Sequence, residues 1–118
     1  MSRKNLPGLY VHIPFCSGKC SYCDFYSETG TSRVSAWLSA LTQEMRFYRD
    51  SFGTFDTLYI GGGTPTVLET PLLQNLFDHL YRHFHFTDDA EITIEANPGD
   101  LTGEKLTLFK ECGVNRIS

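Results

Sequence analysis

Phe55-Asp56-Thr57-Leu58-Tyr59-Ile60-Gly61-Gly62-Gly63-Thr64-Pro65-Thr66 joins a short β-rich run to three adjacent glycines. FDTLYI has the composition of a strand, and the glycines stop it. Upstream, Val34, Trp37, Leu38, Leu41, Met45 and Tyr48 recur at intervals of three, four and seven, one face of a helix capped by Ser32 and ending before Gly53. Downstream, Thr70 serves as a cap followed by Pro71 in the first turn, and Leu73, Leu76, Phe77, Leu80 and Phe84 form a second amphipathic face. Further out, Leu9–Ile13 is a strand ended by Pro14, and Glu91–Ala96 is another, with Ile92 and Ile94 alternating against polar neighbours. Thr102 caps a third helix that closes at Gly113, and Val114–Ile117 begins a fourth strand.

The order β-α-β-α-β-α-β with short connections predicts an α/β fold with right-handed crossovers and a mainly parallel sheet. Helices on one face of such a sheet leave the other face bare. Residues 1–118 are therefore expected to be the N-terminal portion of a longer barrel-like domain, with the remaining strands and any C-terminal domain absent. Ligands of parallel sheets bind at the carboxyl ends of the strands. Three marked segments fall at such ends: the cysteine-rich loop after strand one, the glycine triplet after strand two, and Glu95-Ala96-Asn97-Pro98 after strand three.

Composition narrows the class. The 118 residues carry a net charge of −4, with 41% hydrophobic and 14% aromatic residues, enough for a packed core. There is no run of Lys or Arg, which argues against a broad basic surface for nucleic acid. No apolar stretch approaches the ~18 to 20 residues of a bilayer span, and the N-terminus lacks a signal-peptide pattern. A cytoplasmic chain without a transmembrane segment is expected. Three of the 4 cysteines, Cys16, Cys20 and Cys23, lie in CSGKCSYC, while Cys112 is isolated. Bunched thiols suit a metal or redox centre better than a disulfide framework.

The Cx3Cx2C spacing lets three sulfurs converge on one metal centre. Structural zinc sites and iron-sulfur clusters usually take four protein ligands. Either His12 or Cys112 completes a closed site, or one iron is left open for a small molecule. IGGGTPT (Ile60–Thr66) matches neither the dinucleotide fingerprint nor the P-loop. Its glycines lack Cβ atoms, so backbone can press against a ligand, and outward carbonyls would suit an ammonium group. Glu95 can accept two hydrogen bonds from the cis-hydroxyls of a ribose.

LYVHIPFCSGKCSYCDF, YIGGGTPT, ITIEANPGDLT and ECGVNRIS together resemble the opening of the radical S-adenosylmethionine (SAM) proteins related to oxygen-independent coproporphyrinogen III oxidase. The resemblance implies part of a parallel (β/α) partial barrel. It also implies a 4Fe-4S cluster on Cys16, Cys20 and Cys23, with S-adenosylmethionine on the fourth iron. One electron from the cluster breaks a carbon-sulfur bond of that cofactor, giving a 5′-deoxyadenosyl radical. By the same resemblance Tyr10 lies beside the cofactor and Tyr22 contributes backbone contacts to its adenine. Gly62, Gly63 and Thr64 meet its methionine end, and Glu95 meets its ribose. The oxidases carry a further cysteine two positions after the third; here that position is Phe25, and CDFYS is similar to the HemW branch, described as heme chaperones. That branch implies heme or porphyrin as ligand, an electron donor protein and a heme-acceptor protein, with the heme site outside this chain. The alternatives are a coproporphyrinogen oxidase, another radical SAM enzyme, or a zinc-stabilised interaction module without redox chemistry.

Other conspicuous residues have plainer readings. Cys112 reads as a small buried hydrophobe late in a helix. His12 either contacts substrate or packs. His79, His83 and His85 could be taken as a metal or heme site but read as solvated surface. Trp37 and Phe77 belong to the core, and Glu44, Arg46, Arg49 and Asp50 to a wet helix face.

Overall fold

The computed structural model of the chain describes residues 6–15 and 28–118, the stretch 28–33 by its backbone alone. Its elements are strand β1 (Gly8–Ile13), helix α1 (Glu28–Tyr48), β2 (Thr54–Gly62), α2 (Thr70–His83), β3 (His85–Ile94), α3 (Gly103–Glu111) and β4 (Arg116–Ile117). Short 3₁₀ turns at Pro65–Val67 and Pro98–Asp100 follow β2 and β3. The strands form one sheet in the order β1-β2-β3-β4 with every pairing parallel, as the alternation of strand and helix patterns predicts.

Strand alternation divides the sheet into two unlike faces. Val11, Ile13, Leu58, Ile60, Ile92 and Ile94 join Val34 and Met45 of α1, Leu73, Leu76, Phe77 and Leu80 of α2, and Leu108 and Phe109 of α3 in one buried core. Each such side chain taken from water contributes about 1.5–3 kcal/mol, so this face holds the segment together. The opposite face carries Tyr10, His12, Tyr59, Thr93 and Glu95, and no helix among the described residues covers it. It is the face that would line the interior of a barrel.

Several boundaries differ from the sequence expectation, each for a physical reason. Helix α1 starts at Glu28 rather than after a cap at Ser32; Glu28-Thr29-Gly30-Thr31 contains no large apolar residue to extend the helical spacing upstream. Glu69, not Thr70, is the N-cap of α2: its carbonyl accepts from the amides of Leu72 and Leu73 at 3.0 Å, and Pro71 sits inside the first turn. Strand β2 is not stopped at Ile60. It runs on to Gly62, since His12 pairs with Gly61 and Ile13 with Gly62. β3 begins at His85 instead of Glu91, with Phe86 opposite Phe55 and a bulge between Phe55 and Thr57.

Helix α3 forms as its signals require. Thr102 Oγ1 accepts from the Lys105 amide at 3.1 Å. At the other end Gly113 adopts φ 87°, its amide donates to the Lys110 carbonyl, and the Val114 amide donates to the Phe109 carbonyl. These are the paired bonds of a Schellman motif. Asn115 then pins β4 to β3: its side chain accepts from the Ile92 amide and donates to the Ala90 carbonyl, both at 2.9 Å.

Candidate functional site

Two rows of residues cross the helix-free face. In the first, Tyr10 pairs with Tyr59, Tyr59 with Thr93, and Thr93 with Arg116. The second, nearer the carboxyl ends, sets His12 beside Gly61. Glu95 continues that row, because its amide still donates to the Ile60 carbonyl at 2.9 Å just past the end of β3.

The Glu95 carboxylate lies across the glycine backbone and is held from both sides. Its Oε2 accepts from the Tyr59 hydroxyl at 2.7 Å and its Oε1 from the Gly62 amide at 3.0 Å. Hydrogen bonds to a carboxylate are the stronger class. Gly61 makes room for this arrangement, since a Cβ there would sit 2.9 Å from both the carboxyl carbon of Glu95 and the ring of Tyr59. Tyr10 stacks on Tyr59 with ring centroids 5.9 Å apart, and its hydroxyl lies 3.2 Å from His12 Nδ1.

Gly62 and Gly63 face the first strand. A Cβ on Gly62 would lie 2.5 Å from the Ile13 carbonyl oxygen, and one on Gly63 would collide with the backbone of Phe15. Gly62 also has φ 117°, a conformation costly for any other residue. The Gly63 amide donates to Ile13 at 2.9 Å and the Thr64 amide to Phe15 at 2.6 Å. The amides of Gly62, Gly63 and Thr64 are thus all committed within the chain. The Thr64 carbonyl is committed too, accepting from the Val67 amide at 2.9 Å.

The loops behind the site are tied to one another. Thr66 is fully buried, its Oγ1 accepts from the Asn97 amide at 3.1 Å, and its carbonyl accepts from Lys105 Nζ. Asn97 in turn accepts from the Gly99 amide at 3.2 Å. Tyr59, Thr66 and Lys105 were not singled out by motif reading. Strand alternation alone carried the signal for Tyr59, two residues before Gly61 on the same face.

Cys16, Cys20, Cys23 and Tyr22 lie outside the described residues, as does Phe25. The chain enters that segment from Phe15, whose ring meets Trp37 edge-on with centroids 5.7 Å apart. Cys112 is the C-cap of α3, the helix that leads back to the start of β4, and so sits at the opposite edge of the sheet from Glu95. Burial pushes its thiol above the ordinary value, with the negative charges of Asp78 and Glu111 adding to the effect. His79 and His83 lie toward the same far edge, with His83 Nδ1 donating to the His79 carbonyl at 2.7 Å. Among the described residues no cluster of three or more His, Cys, Asp or Glu is placed to hold a metal. An apolar cavity of about 450 Å³ lies between β1 and α1, lined by Trp37, Leu41, Met45 and Tyr48; it reaches Tyr10 and His12 but not Glu95 or the glycine triplet.

A parallel β/α sheet with one face free of helices among the described residues, and a glycine-backed carboxylate where the strands end, defines an α/β protein of the kind whose ligands bind at the carboxyl ends of the strands. The chain belongs to the Radical SAM superfamily, whose sequence pattern matches residues 10–118. It is similar to the heme chaperone HemW of Bacillus subtilis, 46% identical over 113 residues, which are 92% of this chain and 30% of that protein. The heme chaperone HemW of Escherichia coli is 38% identical over 116 residues, covering 93% and 30% respectively. Among solved structures, coproporphyrinogen III oxidase (HemN) from Escherichia coli, a radical SAM enzyme, superposes with a TM-score of 0.81 at 34% identity, over 95% of this chain and 27% of that one. The chain spans about 30% of the length of the curated relatives it matches. Membership of the family implies a 4Fe-4S cluster and S-adenosylmethionine. Among the described residues no helix is long and apolar enough to cross a membrane.

Proposed function

We propose that this chain is the cofactor-binding portion of a HemW-type heme chaperone, in which Cys16, Cys20 and Cys23 hold a 4Fe-4S cluster and leave one iron for S-adenosylmethionine. When bound, the cluster supplies the electron that cleaves a carbon-sulfur bond of the cofactor; the residues here bind, orient and shield. Glu95 takes the ribose hydroxyls, Gly62, Gly63 and Thr64 meet the methionine end, Tyr10 lies beside the cofactor, and Tyr22 meets the adenine through its backbone.

The observation that carries the reading is the placement of Glu95. Its carboxylate is fixed over the same glycine backbone that braces Ile13 and Phe15, the residues leading into the cysteine segment. A cofactor bridging cysteine loop and carboxylate would therefore meet both from one rigid edge. The similarity to heme chaperones supports heme or porphyrin as the ligand handled, with an electron donor protein and a heme acceptor as partners in a cytoplasmic setting. A second reading, a coproporphyrinogen oxidase, is favoured by the likeness to HemN and opposed by Phe25.

Anaerobic reconstitution with iron and sulfide tests the proposal. A brown protein whose electron paramagnetic resonance signal changes on adding S-adenosylmethionine is expected. A colourless protein holding stoichiometric zinc would overturn the reading in favour of an interaction module. Heme titration of the full-length protein, run beside an assay of porphyrinogen oxidation, separates chaperone from oxidase.

A further inference from the structure

We propose that Tyr59 is the positioning residue of the site: its hydroxyl sets the orientation in which Glu95 offers its remaining acceptor positions to a cis-diol. The inference rests on the ribose reading of Glu95 given above and adds the residue that makes it selective.

A carboxylate has about four lone-pair positions, two on each oxygen. The Tyr59 hydroxyl takes one on Oε2, and the Gly62 amide takes one on Oε1. One position then remains on each oxygen, a number and spacing matched to two adjacent hydroxyls. Without the phenol, the carboxylate keeps one anchor of its two; it can turn about its bond to Cγ, which loosens the bond from the Gly62 amide, and the paired presentation is lost. Tyr59 is itself held: Tyr10 stacks on its ring at an interplanar angle of 20°, and Gly61 leaves no side chain between the phenol and its acceptor. Glu95 is half-buried on the helix-free face, so its free positions are turned to the side from which a ligand arrives.

The test is Tyr59→Phe, which keeps the stacked ring and removes only the hydroxyl. Amide hydrogen exchange reads the carboxylate directly. The Gly62 amide should exchange about tenfold faster in the variant, equivalent to ~1.4 kcal/mol of lost protection. The Gly63 amide, which donates to Ile13, and the Glu95 amide, which donates to Ile60, should keep their rates. On the cluster-loaded chain, affinity for S-adenosylmethionine should fall about fivefold to tenfold in Tyr59→Phe, and further in Glu95→Gln. An unchanged Gly62 rate, or equal acceleration at all three amides, overturns the positioning role. So does faster exchange at Gly62 with undiminished affinity in Tyr59→Phe while Glu95→Gln loses it. If Glu95→Gln keeps its affinity, the ribose assignment fails instead, and the exchange rates still decide whether Tyr59 holds the carboxylate.

Discussion

Replacing Gly62 by alanine adds one carbon atom where β2 lies against the last residue of β1, and its cost can be worked from the geometry. At φ 117° an L-residue is strained whatever space surrounds it, by about 1–3 kcal/mol. The new Cβ would also stand 2.5 Å from the Ile13 carbonyl oxygen and 2.9 Å from the Ile13 nitrogen, both backbone atoms that cannot swing aside. Such overpacking adds about 1–3 kcal/mol. The combined destabilisation is about 2–6 kcal/mol, a large part of the ~5–15 kcal/mol that holds a typical domain folded. Gly53→Ala is the matched control, because a Cβ there meets nothing within 4 Å; it should be neutral or stabilising by up to ~1 kcal/mol. Urea unfolding followed by circular dichroism measures both. Since the clash falls on Ile13, just ahead of Cys16, cluster loading should drop together with cofactor affinity, rather than cofactor affinity alone. A Gly62→Ala protein within ~1 kcal/mol of the parent would refute the reasoning, as would equal losses at Gly62 and Gly53.

The cysteine assignment predicts that Cys20→Ser abolishes iron uptake on reconstitution while Cys112→Ser retains it; equal loss in both would be incompatible with a triad on the first loop. Removing the cap of α3 with Thr102→Ala should cost about 1 kcal/mol in thermal or urea unfolding, because the bond from the Lys105 amide is lost. Stability should also decline with rising alkali. Burial raises the Cys112 thiol above its ordinary 9.0, and burial with the Cys112 charge raises the Tyr81 phenol above 10.0. The folded chain then retains protons that the unfolded chain has released, so stability is whole below about pH 9 and is lost as pH climbs through the raised values. Urea midpoints at pH 8 and pH 10 should differ less in Cys112→Ala than in the parent chain, and identical differences would remove the thiol from the account.

Periodicity made the architecture legible. Val34, Trp37, Leu38, Leu41 and Met45 could share a face only on a helix, and Ile92 and Ile94 could be buried together only on a strand, so element type and order followed from spacing. Element ends were less legible because they depend on partners distant in sequence. The strand character of His85 and Phe86 emerges only once Phe55 is placed opposite Phe86. The site divided in the same way. The position of Glu95 at a strand end could be read from IEANP, whereas the use of Tyr59 as its support required knowing that Gly61 leaves the space between them empty. Thr66 and Lys105 were illegible for a simpler reason. Their bond joins a side chain to a backbone carbonyl, and carbonyls carry no trace in the sequence.

The glycine triplet shows why a motif can be located from sequence and still be read incompletely. Three adjacent glycines suggest a backbone laid bare for a ligand, yet the geometry gives them a prior task. Gly61 clears the path of the Glu95 carboxylate, while Gly62 and Gly63 let the exit of β1 lie against β2 as far as Phe15. The ladder continues through His12 opposite Gly61 and Ile13 opposite Gly62, so the strand register is set up to the last residues before the cysteine segment. A slip of one residue there would turn His12 to the helical side and Ile13 to the open face, at the cost of a fully buried isoleucine. The same few peptide units therefore fix both the point from which the cysteine segment departs and the Glu95 carboxylate. On the proposed reading a cofactor would need both, so any substitution that spreads β1 from β2 should disturb cluster loading and cofactor affinity together.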